Sequence, residues 1–353
     1  MIALPLLLML QLPDTVRIGE RICARCELRV DSVGTIASGE DISGFQLVVA
    51  RDARGRWLIA DGAGPPQIRV YDSTGRFERI VGRSGVGPNE YRRISGIVAL
   101  SSGVVVADDF ARRYTVLGAD FRHVRTARSL GEPQGMLPGP GGTDAEAAIL
   151  KAGPDAGYTL FFRDVRGRAR SRQSPVPTPY REVAREFYRR TVSAAPGEQQ
   201  FWLAQRHAYV FERCEFASTA CTRYARRATW FPVPLLSELP AELSDEAPPL
   251  SRLQGVVQSD DRYLWAVSLV ADRAWRAGLA KGRVHAVVAD PNRYWDSVIE
   301  RIDLESHSVV ASHRIDEALL WAPLAGGYAA FYREDAEGLP TLIFVRLSVR
   351  ALP

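Results

Sequence analysis

Two aspartates close short apolar runs in the same way. Trp57-Leu-Ile-Ala-Asp61 and Val104-Val-Val-Ala-Asp108 each end in Ala-Asp, and Asp109, Arg112 and Arg113 follow the second run. If those strand ends converge, Asp61 and Asp108 could hold Ca²⁺ or Mg²⁺ through oxygen ligands. The competing reading is that each Asp caps its turn by accepting backbone N–H bonds, the commoner use of this side chain. The five residues are candidate binding residues at a loop-lined mouth. No residue is assigned as catalytic and no cofactor is required; Ca²⁺ or Mg²⁺ stays open.

Histidine is the usual general base or transition-metal ligand. His123, His207, His285, His307 and His313 form no His-x-His or His-x3-His pair. His307 and His313 flank one strand at even spacing, which places them on one face. Gly139-x-Gly141-Gly142 does not sit between a strand and a helix, so it is no phosphate loop. No Gly-x-Ser-x-Gly elbow occurs.

Four cysteines come as two local pairs, Cys23-x2-Cys26 and Cys214-x6-Cys221. No His stands near either pair at zinc-ligand spacing. The segment 209–224 reads as strand, turn, strand, and opposed hairpin positions bring two Cβ atoms within disulfide range. A Cys214–Cys221 disulfide is expected. Cys23 and Cys26 are a structural bridge or two free thiols.

The chain has 353 residues, 46% apolar and 24% charged. That balance describes a folded protein and excludes disorder, collagen and disulfide-dense scaffolds. Residues 2–12 form an apolar run too short to span a bilayer. It has the length of a signal-peptide core but lacks a preceding basic residue and a small-x-small cleavage site. Residues 1–16 are read as an incomplete export signal, and export agrees with the cysteines. Of the 45 basic residues 43 are Arg, a chain-wide bias, so the net charge of +4 is weak evidence for a polyanion partner. Residues 163–227 carry 14 Arg against 6 acidic residues. This stretch is either a basic face or a set of solvated strand edges and a hairpin; nucleic acid is disfavoured because no aromatic residues interleave as a stacking platform.

The two Ala-Asp runs belong to longer similar units. Each continues through a polar loop, an alternating strand, a tight turn and a further strand, and Asp61 and Asp108 lie 47 residues apart. Strands with Gly or Asp turns recur at short intervals, which is the all-β pattern. Between the units stands Gly82-Arg-Ser-Gly85-Val-Gly87-Pro88-Asn-Glu90-Tyr91-Arg-Arg-Ile94-Ser-Gly96-Ile97. This resembles the NHL-type repeat of β-propellers, Gly-x-x-Gly-x-Gly-Pro-Gly-Glu-Phe-x-x-Pro-x-Gly-Ile. Asn89 replaces a Gly, Tyr91 a Phe and Ile94 a Pro; Asn is the best non-Gly residue for a positive φ. The resemblance implies a six-bladed β-propeller like those of exported bacterial proteins of unassigned function. Repeat length alone also allows seven blades.

The expected architecture is one propeller over residues 17–353. Residues 27–36 alternate like a strand without a blade of their own, so they are expected to close the ring as the outer strand of the last blade. The third blade reads as degraded. Two partly helical insertions are expected, at 175–191 and 272–295, and a Pro- and acid-rich linker at 232–249. The functional reading is a monomeric, non-catalytic binding propeller of the cell envelope, periplasmic or secreted. Its ligand would be a protein, peptide or glycan. The rival reading is a lactonase-like, metal-assisted hydrolase or lyase with axial carboxylates, a likeness that stops at the fold.

Overall fold

The computed structural model describes residues 15–36, 47–62, 64–150, 153–175, 189–218, 220–232, 248–275, 294–318, 326–334 and 340–351. Short β-branched and aromatic runs, cut by turn residues, fold as antiparallel meanders. The first unit is Leu47–Arg51, Trp57–Asp61, Ile68–Tyr71 and Phe77–Val81, paired in chain order. The second is Ile94–Ala99, Gly103–Asp108, Arg113–Gly118 and His123–Arg128. The third is Glu132–Pro138, Asp144–Ile149, Tyr158–Arg163 and Ala169–Pro175, a complete four-stranded sheet where the sequence suggested a degraded one.

The fourth unit is Arg190–Ala194, Gln200–Gln205, Val210–Glu215 and Cys221–Arg226. The fifth is Arg252–Gln258, Tyr263–Ala271, Trp295–Asp303 and Ser308–Ile315. Thr15–Glu20 fuses these two into one nine-stranded sheet, running parallel to the outer strand of each. Thr15 and Val16, assigned above to the export signal, are therefore paired sheet residues, opposite Arg223 and Tyr224. The last unit is Tyr328–Glu334, Pro340–Ala351 and Cys26–Ile36. Cys26–Ile36 runs antiparallel to Pro340–Ala351, from Cys26 opposite Ala351 to Ile36 opposite Leu342.

Burial follows position within each unit. The second strands Gly103–Asp108 and Asp144–Ile149 are buried along their whole length, because both faces are covered. The outer strand Phe77–Val81 is exposed except at Val81. Apolar clusters lie between successive units. Leu58 and Val70 meet Val104 and Val106; Val105 and Tyr114 share a cluster with Leu137, Phe162 and Phe201; Trp202 and Phe211 meet Leu264 and Ile302. Trp265 and Ile299 then meet Phe331 and Leu347, and the last unit meets the first through Phe344 and Trp57.

The expected helical insertions are corrected at their edges. Arg190–Ala194 is a strand, and Trp295 opens another. Burial explains both, since Arg190 and Trp295 are drawn into the sheets. The interiors 176–188 and 276–293, and linker residues 233–247, lie outside the described residues. Among the described residues the one helical element is the 3₁₀ turn Pro140–Gly142.

Candidate functional site

The first strands of five successive units supply the walls of a channel of about 300 Å³. Ser95, Gln134, Thr191, Ser193 and Gln254 give it neutral hydrogen-bonding groups, with Arg51 as the charged one. Arg51 lies over the Tyr328 ring at 3.7 Å. The Ser193 hydroxyl donates to the Val256 carbonyl, while the Thr191 hydroxyl is buried with no hydrogen-bond partner among the described residues. Such a wall can hold a neutral polar ligand by hydrogen bonds.

The predicted carboxylates lie elsewhere. Asp108 is fully buried. Its carboxylate accepts backbone N–H bonds from Arg92 at 2.9 Å, Arg93 at 3.3 Å and Ala111 at 2.9 Å. It ties the linker to the loop after its own strand, as a turn-capping Asp does. Asp109 pairs with Arg93, with Nε–Oδ1 at 2.8 Å. Asp61 lines a separate cleft of about 380 Å³, with Ser84, Arg92, Arg93 and Phe110. Arg113 donates to the carbonyls of Val86, Gly87 and Glu90. Arg112 lines a third cleft. Asp61, Asp108 and Asp109 thus gather around Arg92 and Arg93, Arg113 braces the linker, and none of the five lines the channel.

The linker itself is a structural clamp. Glu90 accepts from Gly87 N at 2.7 Å and Val86 N at 3.0 Å, and from Arg83 Nε at 2.8 Å. These bonds, the Gly87 amide foremost, hold its carboxyl below the usual range. A Cβ at Gly85, whose φ is +150°, would sit 2.3 Å from Glu90 Oε2. Asn89 takes φ 57°, as its substitution for Gly required.

Other charged groups are buried as pairs. Glu146 accepts from Ser129 Oγ at 2.6 Å, Leu130 N at 2.9 Å and Arg163 at 2.6 Å. Glu300 accepts from the Tyr209 hydroxyl at 2.6 Å and from Arg226 at 2.8 and 2.9 Å. Burial pushes both carboxyls up, and the arginines oppose it. The sequence reading missed these pairs; their only signal is a lone acid inside an apolar run, as in Ala145-Glu146-Ala147.

Both cysteine pairs form disulfides, Cys23–Cys26 and Cys214–Cys221, and Cys214 stands directly opposite Cys221 in the hairpin. His207 is buried beside the Ser251 carbonyl, with Nδ1 at 3.0 Å, and burial depresses its pKa to about 3. His307 and His313 are exposed. A β-bulge at Val310 breaks the alternation between them, so even spacing does not put them on one face. His285 lies outside the described residues. Among the described residues no three His, Cys, Asp or Glu side chains gather as a metal site.

No family model matches the chain. No curated protein matches it in sequence. Its fold is similar to two solved structures from Bacteroides. One is an exported protein candidate of Bacteroides fragilis, with a TM-score of 0.61 at 12% identity over 95% of this chain and 99% of that one. The other is a DUF4221-family member of Bacteroides vulgatus, with a TM-score of 0.59 at 9% identity over 93% and 99%. At such identity the likeness is in the fold. The chain has an all-β, propeller-like fold built from four-stranded antiparallel sheets. Its two disulfides are consistent with a location outside the cytoplasm.

Proposed function

We propose that this chain is an exported, monomeric, non-catalytic binding propeller of six NHL-like blades, the last completed by Cys26–Ile36. Its ligand is a protein, peptide or glycan of the cell envelope, seated at the channel between the inner strands. One observation carries the reading. Asp108, one of the two predicted carboxylates, is fully buried and accepts three backbone N–H bonds. A carboxylate shut off from solvent and anchored by three backbone donors is poorly placed to act as a general base or metal ligand. What faces the channel is a mixture of apolar side chains, neutral donors and acceptors, and Arg51.

The test is a thermal-shift titration with soluble peptidoglycan fragments and envelope peptides. A ligand that binds only the folded state raises the melting temperature in a saturable way. The shift should vanish when the channel is filled by a Ser95→Leu, Thr191→Leu double variant. Turnover of a bound fragment would replace this reading with the hydrolase or lyase. So would Ca²⁺ or Mg²⁺ stabilisation that an Asp108→Asn variant loses.

A further inference from the structure

The third cleft, away from the channel, is basic. It has a volume of about 610 Å³, within the range that holds a small molecule. Four segments meet there: Arg112, the end of the outer strand His123–Arg128, the linker residues Ser129 and Leu130, and the hairpin turn Val165–Gly167 of the next sheet. Arg112, Arg125, Arg128, Arg163 and Arg166 line it, and among the described residues no Asp or Glu does.

Two of the five arginines have structural duties. Arg163 is buried, pairs with Glu146, and donates to the carbonyls of Arg128 and Gly167. It fastens the hairpin turn to the outer strand of the preceding sheet and so sets the shape of the cleft. Arg125 forms a two-pronged pair with the buried Asp144. The remaining three, Arg112, Arg128 and Arg166, are exposed, and their guanidinium groups make no ion pair or hydrogen bond among the described residues. Arg112 is held in place by its backbone, at φ 49°, with its carbonyl accepting from Ser129 N at 2.8 Å.

Some exposed arginines elsewhere stand against carboxylates, as in Arg83 with Glu90, Arg93 with Asp109 and Arg262 with Asp303, and others, such as Arg54, Arg170 and Arg227, stand without one among the described residues. The cleft differs in that three arginines without a carboxylate partner line one concavity. Like charges in a concave site raise its potential and cost stability unless an anion fills it. Guanidinium binds tetrahedral oxyanions through paired N–H bonds.

We propose that this cleft is a binding site for a small polyanion carrying at least two phosphate or sulfate groups. It is separate from the channel, so either site can fail its test without touching the other. The probes are tripolyphosphate and sucrose octasulfate, titrated by calorimetry into the full chain. Saturable one-to-one binding is expected at roughly 50 mM salt, weakened at roughly 500 mM as screening grows. Binding of tripolyphosphate alone assigns phosphate, and of the sulfated sugar alone assigns sulfate; binding of both supports the shared oxyanion chemistry. An Arg112→Gln, Arg128→Gln, Arg166→Gln variant should bind about tenfold more weakly or worse. The control Arg83→Gln, Arg168→Gln should bind as the wild type does. Circular dichroism checks that the triple variant is folded, and a single Arg128→Glu variant repeats the test with one change. Failure of both probes to bind, or equal loss in the control, would overturn the proposal.

Discussion

Single residues in this protein are fixed mainly by what their neighbours leave room for. Asp52, Asp72 and Asp164 each open an Asp-x-x-Gly-Arg turn and accept the amide of the Arg four positions on. That spacing was visible in the sequence and explains why so many aspartates here cap turns rather than bind ligands. The linker motif was legible for the same reason: a Gly, an Asn and a Glu at fixed spacing describe one backbone path. Replacing Gly85 by Ala puts a methyl group against Glu90 in a φ region disfavoured for side chains, and should cost about 1–3 kcal/mol in urea unfolding. His207 makes the second residue-scale prediction. In the fold it stays neutral down to about pH 3, whereas its ordinary pKa is 6.5. Below 6.5 the unfolded chain binds a proton that the folded chain refuses, so stability falls as pH drops through that window. The slope from this one group is at most about 1.4 kcal/mol per pH unit. Glu146 and Glu300 act in the opposite sense, because a raised pKa makes the fold hold protons more tightly. Comparing wild type with His207→Asn isolates the histidine: urea unfolding between about pH 7 and about pH 4 should be flatter for the variant. Equal slopes would refute the assignment.

At the level of strands, sequence reading succeeded where turn chemistry or side-chain alternation marks a strand, whether its partner is near, as for Cys214–Cys221, or far, as for residues 27–36, and failed where neither does. The Cys214–Cys221 hairpin is local, and its register followed from turn length and strand alternation. Thr15–Glu20 has no such signal: its only buried side chain is Ile18, and its partners are some two hundred and three hundred residues distant. Its place is marked by charge: Arg226 bonds Glu20 at 2.7 Å while pairing with the buried Glu300. Removing Arg226 strands Glu300 in the core, so Arg226→Leu should cost about 3–5 kcal/mol. Glu20→Ala, at a largely exposed partner, should cost under about 1 kcal/mol. Chemical unfolding of both variants checks the contrast, and similar losses would mean that Glu20, not Glu300, anchors the arginine. The disulfides give a covalent test at the same scale. A non-reduced digest should show Cys23 linked to Cys26 and Cys214 to Cys221, and any cross-link between the pairs would contradict the hairpin register.

For the molecule as a whole, the decisive contact is the one between the last sheet and the first. Trp57 stacks on Phe344 with centroids 3.9 Å apart, and both rings are fully buried. Without that face-to-face contact the array of sheets would have two bare apolar faces, each a site for aggregation. Cys26–Ile36 covers the edge of Pro340–Ala351 and carries Ile36 into the same cluster as Trp57. The last sheet is therefore complete only when Cys26–Ile36 pairs with Pro340–Ala351, which makes that strand a cooperative part of the fold. Two truncations separate this role from that of Thr15–Glu20. Deleting residues 1–24 removes the bridging strand and the Cys23 bridge but spares Cys26–Ile36; the protein should melt lower and still in one transition. Deleting residues 1–40 removes the closing strand, exposes Leu342, Phe344 and Val345 along one edge, and should abolish cooperative unfolding. Calorimetry that found the same single transition in the longer truncation would show that the ring does not depend on Cys26–Ile36.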